Sequence, residues 1–90
     1  MIETTITCTE NFSIMDYAAI VSKVRFYECI VRFTKGKDKA EGDSMLSLSD
    51  LKISKGDIIN VRILGKNIDC EPIILEHLTD IFHGNWKGDS

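Results

Sequence analysis

Apolar and polar residues alternate singly in some stretches of the chain and recur at three- and four-residue spacing in others. Ile2, Thr4, Ile6 and Cys8 share one face of a short strand, with Glu3, Thr5 and Thr7 on the other. Thr9-Glu10-Asn11 makes a turn. Ser13-Ile14-Met15-Asp16 is a Ser-x-x-Asp variant of the capping box and opens a helix. Ile14, Ala18, Val21 and Val24 or Arg25 recur at helical spacing, which predicts that this face packs inward. A strand is predicted from Phe26 to Thr34, with Cys29, Val31 and Phe33 on one side. Lys35-Gly36-Lys37-Asp38 reads as a hairpin turn into a short charged edge strand, Lys39 to Gly42, where lysine discourages pairing with another chain.

Ser44 then caps a helix of about two turns ending at Asp50 or Leu51. Lys55-Gly56-Asp57 turns the chain. Ile59, Val61 and Ile63 alternate with Asn60 and Arg62, the pattern of a half-buried strand. After a turn at Gly65-Lys66-Asn67, Pro72 suits the first turn of a last helix, Ile74, Leu78 and Ile81 form its apolar stripe, and Gly84 is placed to stop it. The order β-α-β-β-α-β-α predicts an α+β fold: an open-faced sandwich with a four-stranded antiparallel sheet covered on one face by three helices. Residues 1–84 are expected to form one domain and residues 85–90 a flexible C-terminal tail.

Composition narrows what such a domain does. Ninety residues fit a single core, and 43% hydrophobic with 28% charged residues is ordinary globular usage. A net charge of −3 with 8% aromatic residues offers neither electrostatic pull toward nucleic acid nor a stacking platform for bases. Cys8, Cys29 and Cys70 are odd in number and lack metal-ligand spacing, so they read as three buried, reduced thiols in a cytoplasmic protein. No apolar run approaches membrane-spanning length, and Met1-Ile-Glu-Thr-Thr lacks the features of a signal peptide. No cofactor, metal or membrane is expected, and the chain is expected to be a monomer.

The segment Asp43-Ser44-Met45-Leu46-Ser47-Leu48-Ser49-Asp50-Leu51-Lys52-Ile53-Ser54-Lys55-Gly56 carries the most specific signal. With the element order, it resembles HPr, the small histidine phosphocarrier of the bacterial phosphoenolpyruvate-dependent sugar phosphotransferase system. The HPr regulatory segment has the form Lys-Ser-Leu-(Leu, Phe or Met)-x-Leu-x-x-Leu-x-(Leu or Val)-x-x-Gly. The strand Ile58-Ile59-Asn60-Val61, the stretch Glu76-His77-Leu78 and the pair Ala18-Ala19 match as well, so that the resemblance runs over residues 4–82.

The active-site loop departs from that pattern. A working carrier shows Gly-(Leu, Ile or Phe)-His-x-Arg-Pro-Ala-Ala. Aligned on Ala18-Ala19, Ile14 falls at the histidine; aligned on the first strand, Ser13 does. Asp16 takes the arginine position and Tyr17 the proline position. Reversible phosphoryl carriage needs an imidazole nitrogen at a helix N-terminus, where free amides and the helix dipole stabilise the phosphate and an arginine adds charge-assisted hydrogen bonds. Isoleucine has no nucleophile. At about 4 Å and an effective dielectric near 20, a unit-charge pair is worth about 4 kcal/mol, so a carboxylate in place of the guanidinium disfavours phosphate. His77 and His83 lie in or after the last helix with no phosphate-binding signature around them; His77 reads as a surface or interface residue and His83 as a charge near a helix C-terminus.

In the HPr family the residue matching Ser44 is often phosphorylated by a dedicated kinase for regulation, and the pair matching Met45 and Leu46 is pressed against partner proteins. The resemblance therefore implies a regulatory phosphorylation site at Ser44 and a partner surface at Met45 and Leu46. Helix capping alone also accounts for Ser44, and Asp43 replaces the usual basic neighbour. Leu48, Leu51 and Ile53 suffice to fill the buried face of a two-turn helix, which leaves at least one of Met45 and Leu46 exposed. Two functional readings follow. In the first, an HPr-like protein related to the phosphotransferase system has no catalytic residue and acts as a regulatory or binding module for phosphotransferase-system enzymes, a regulatory kinase or a transcription factor. In the second, it is a working phosphocarrier with a non-histidine acceptor such as Ser13.

Overall fold

The computed structural model describes residues 1–87. Strand β1 (Ile2–Thr7) leads to helix α1 (Ile14–Tyr27), strands β2 (Ile30–Lys35) and β3 (Asp38–Glu41), helix α2 (Met45–Asp50), strand β4 (Ile58–Leu64), helix α3 (Cys70–Phe82) and a 3-10 turn at Asn85–Lys87. The strands form one antiparallel sheet in the order β1-β4-β2-β3. This is the predicted α+β open-faced sandwich. The side-chain period of two fixes which face is covered: Ile6, Val31, Phe33, Ala40, Ile59, Val61 and Ile63 are buried under the helices, while Glu3, Thr5, Ile30, Arg32, Ile58, Arg62 and Leu64 point the other way and are exposed. From the helices, Ile20, Val24, Leu48, Ile74, Leu78 and Phe82 complete the core.

Two turns follow from glycine. Lys35 pairs with Asp38, so the hairpin loop is only Gly36-Lys37, and Gly36 adopts φ 61° there. Gly56 sits at φ 94° between two backbone bonds to β1's end, donating to the Cys8 carbonyl at 2.8 Å while Cys8 N–H donates to the Asp57 carbonyl at 2.8 Å. Lys35 closes the other side of this corner. Its ammonium donates to the carbonyls of Leu51 (3.0 Å) and Lys52 (2.9 Å) and pairs with Asp57 (2.9 Å), satisfying acceptors that the end of α2 leaves open.

Four sequence expectations are corrected. The buried face of α1 is Asp16, Tyr17, Ile20, Val21 and Val24, rotated from the predicted stripe; Ile14, Ala18 and Arg25 are exposed. The predicted strand start at Phe26 is helix: α1 runs through Tyr27 and ends at Glu28, in the left-handed conformation at φ 54°, so that β2 begins at Ile30. Cys8 and Cys29 are buried and free, and burial pushes both thiols up, but Cys70, at the first position of α3, is only half-buried. Asn85–Lys87, expected in a loose tail, form the 3-10 turn, and Trp86 packs on the core; residues 88–90 of that expected tail lie outside the described residues.

Candidate functional site

The loop between β1 and α1 is held by side chains on both flanks of Ser13. Phe12 precedes the cap and Tyr17 is the fourth residue after it; their rings meet edge to face at 5.2 Å, a hydrophobic staple that sets the angle at which the chain enters the helix. Phe12 also meets Phe82 of α3 edge to face at 5.0 Å. The Tyr17 hydroxyl accepts from the Ile53 N–H at 2.9 Å, and burial pushes its phenol above the ordinary value. Asn11 Oδ1 accepts from the Lys55 N–H at 2.9 Å, tying the same loop to the turn before β4.

Within this frame Ser13 is the N-cap of α1, and the carboxylate of Asp16 does most of the capping. Asp16 Oδ2 accepts from the Ser13 N–H (2.7 Å) and from the Ser13 hydroxyl (3.1 Å), while Oδ1 accepts from the Trp86 indole N–H (2.9 Å). Asp16 is 2% exposed. The positive end of the α1 dipole therefore already holds an anion, and that anion is part of the chain. Ile14 and Met15, the two residues between Ser13 and Asp16, turn outward at 69% and 62% exposure.

Helix α2 lies beside α1, with the Arg25 guanidinium donating to the Asp43 carbonyl at 3.2 Å. Ser44 caps it as expected, its hydroxyl oxygen accepting from the Ser47 N–H at 3.2 Å. The Ser47 hydroxyl in turn accepts from the Glu41 N–H at 3.1 Å and joins α2 to β3. Leu48, Leu51 and Ile53 are buried, Met45 packs half-buried against the core, and Leu46 stands 75% exposed. Of the sequence-predicted residues, Ser13, Ile14, Leu46 and the edge of Ser44 remain accessible; Asp16 and Tyr17 are buried.

Among the described residues neither imidazole makes a hydrogen bond or ring contact with Ser13, Ile14 or Met15. His77 stacks on Tyr27 with ring centroids 5.6 Å apart and a 3.2 Å contact between Tyr27 Oη and its Nε2. Tyr27 is the last residue of α1, about 20 Å along the helix from Ser13 at 1.5 Å per residue. His83 is distant in sequence, yet the end of α3 comes against the β1–α1 loop, where the Thr9 N–H donates to the Phe82 carbonyl at 3.1 Å. Its side chain lines a hollow with Thr4 to Thr7 of β1, Leu75 and Thr79, and it stands at the negative end of a helix dipole, the wrong end for a phosphate.

A crystal structure of HPr-C-His from Thermoanaerobacter tengcongensis superposes on this chain with a TM-score of 0.81, covering 100% of both chains at 18% identity. The chain has the HPr fold. A second HPr structure, the phosphocarrier protein of Bacillus anthracis strain Ames, gives a TM-score of 0.77 over 89% of this chain and 94% of that one, at 15% identity. No family model matches the sequence, and no curated protein sequence matches it. Sequence reasoning found the N-caps Ser13 and Ser44 but missed Phe12 and Trp86, which position the loop. An aromatic residue just before the cap serine and a lone tryptophan just past the stop glycine were the available signals. Among the described residues no cluster of three or more histidine, cysteine or acidic side chains could hold a metal, and no helix is long and apolar enough to cross a membrane.

Proposed function

We propose that this chain is an HPr-like binding module related to the phosphotransferase system, without phosphoryl carriage on histidine, that recognises protein partners through the start of α1 and through α2. One observation carries the reading: Ile14, Met15 and Leu46 are exposed on two neighbouring helices at 69%, 62% and 75%, beside a helix N-terminus whose anion position is taken by the buried Asp16. Exposed apolar groups of this size on a small domain mark contact surfaces, and methionine adapts to varied partners. The partners in this reading are phosphotransferase-system enzymes, a regulatory kinase acting at Ser44, or a transcription factor. The module is a cytoplasmic monomer without cofactor, and its domain extends through Trp86.

The competing carrier on Ser13 is disfavoured by geometry. A phosphate on the Ser13 hydroxyl would stand against the Asp16 carboxylate, whose oxygen is now 3.1 Å away. Titration of the isotopically labelled chain with Enzyme I of the phosphotransferase system tests the binding reading. Amide shifts centred on Ile14, Met15 and Leu46 support it. Shifts elsewhere, or none with Enzyme I or a Ser44-directed kinase, contradict it.

A further inference from the structure

The open face of the sheet, opposite the helices, carries an ordered row of charge. Strand register places Glu3 opposite Arg62, Arg62 opposite Arg32, and Arg32 opposite Glu41. The four side chains thus run across the sheet as acid, base, base, acid. Two arginines directly across from one another repel unless something intervenes. Each is drawn outward by its glutamate: Arg32 Nε to Glu41 at 3.0 Å, and Arg62 Nε to Glu3 at a looser 3.8 Å. Both contacts use Nε, so the terminal nitrogens of the two guanidinium groups engage no acceptor among the described residues. Two residues along the strands, on the same face, Ile30 pairs with Leu64. These two side chains, 61% and 49% exposed, line with Met1, Arg32 and Arg62 a hollow of about 200 Å³.

We infer that this hollow is a second docking site, which takes an acidic segment of a partner protein: an apolar side chain between Ile30 and Leu64, followed by a carboxylate across Arg32 and Arg62. The charge pattern selects the occupant. A local carboxylate meets two forks suited to bidentate contact. An extended polyanion such as RNA would continue over the rims and meet Glu3 and Glu41. A second copy seated about a two-fold axis through the patch would bring arginine pair against arginine pair. The site lies on the side of the sheet away from Leu46, so both surfaces can be occupied at once.

The test is a nuclear magnetic resonance titration with the peptide Gly-Ser-Leu-Asp-Asp-Gly-Ser. Saturable shifts are expected at the amides of Ile30, Arg32, Arg62 and Leu64, weakening severalfold between about 50 mM and about 500 mM salt. Replacing both aspartates of the peptide by asparagine, or introducing Arg62→Glu in the protein, weakens binding about tenfold or more, and Arg62→Lys weakens it less. Leu46→Arg leaves it unchanged, which separates this site from the helix surface. Equal affinity for the asparagine peptide, indifference to Arg62→Glu, shifts confined to α1 and α2, or no shifts at all would overturn the inference.

Discussion

Trp86 Nε1 donates to Asp16 Oδ1 at 2.9 Å, joining residues 70 apart in the chain and fixing the last turn of the described structure to the first turn of α1. Both partners are shielded, so neither regains water cheaply when the other is lost. Trp86→Phe keeps an aromatic ring and removes the donor, and should cost about 1–3 kcal/mol in urea unfolding. Asp16→Ala also removes the cap on Ser13 and should cost at least as much. Because Trp86 is the sole tryptophan, its emission reports the contact directly: Asp16→Ala should shift the maximum to the red, and an unshifted spectrum would show that the tether does not hold the indole.

Tyr17 reaches across the same corner. Its hydroxyl is the acceptor for the buried Ile53 N–H. Tyr17→Phe keeps the staple with Phe12 and strands that amide, at about 1–3 kcal/mol in denaturant unfolding. A neutral result would mean that water or a shifted carbonyl replaces the hydroxyl.

Leu46 and Leu48 are two residues apart and should behave oppositely. Leu46→Arg changes an exposed side chain and should leave unfolding free energy within about 0.5 kcal/mol while weakening partner binding. Leu48→Ala opens the core and should cost about 2–5 kcal/mol. Thermal melts with a parallel binding titration separate the two effects.

Stability should fall in acid. The Lys35 ammonium, with the Ser54 N–H, holds the Asp57 carboxyl below its ordinary value, and the Gly65 N–H with the N-terminal ammonium does the same for Glu71. In the unfolded chain these groups titrate near pH 4. The unfolded state therefore takes up protons first as pH falls. The stabilisation is fully present above the unfolded values and is lost as pH drops through the lower folded ones. Melting temperature should decline below about pH 5, and less steeply in Lys35→Met and in Glu71→Gln. Wild-type slopes in both variants would refute the assignment.

Much of the fold was legible because strands and caps write themselves locally. The alternation Ile59, Val61, Ile63 and the cap at Ser44 needed no tertiary information. Helix α1 was harder to read. Its buried face contains Asp16 and Tyr17, polar residues made acceptable inside by partners from Trp86 and Ile53 that no local pattern reveals. Its end was misplaced because Phe26 and Tyr27 look strand-like, and because the residue that stops the helix in the left-handed conformation is Glu28 where a glycine would have been the signal. At the candidate site the residue types were readable, and the crowding of Leu48, Leu51 and Ile53 implied that at least one of Met45 and Leu46 turns outward; that it is Leu46, with Met45 half-buried, took the packing of α2 to decide. The burial of the Asp16 carboxylate was not, since Trp86 stood in what looked like a tail.

A single histidine should not rebuild a carrier here. In Ile14→His the imidazole would stand next to a helix start that already accommodates the Asp16 carboxylate. Incubated with phosphoenolpyruvate and Enzyme I, this variant is expected to hold no more acid-labile phosphate than the parent chain; robust labelling would show that the internal anion is no obstacle.

The most direct measurement uses the unaltered chain with phosphoenolpyruvate and Enzyme I, beside an authentic HPr as positive control, read by intact-protein mass spectrometry under neutral and acidic conditions. The expected result is a phosphorylated control and an unmodified chain. An acid-labile phosphate on this protein, mapped to His77 or His83, would contradict the account.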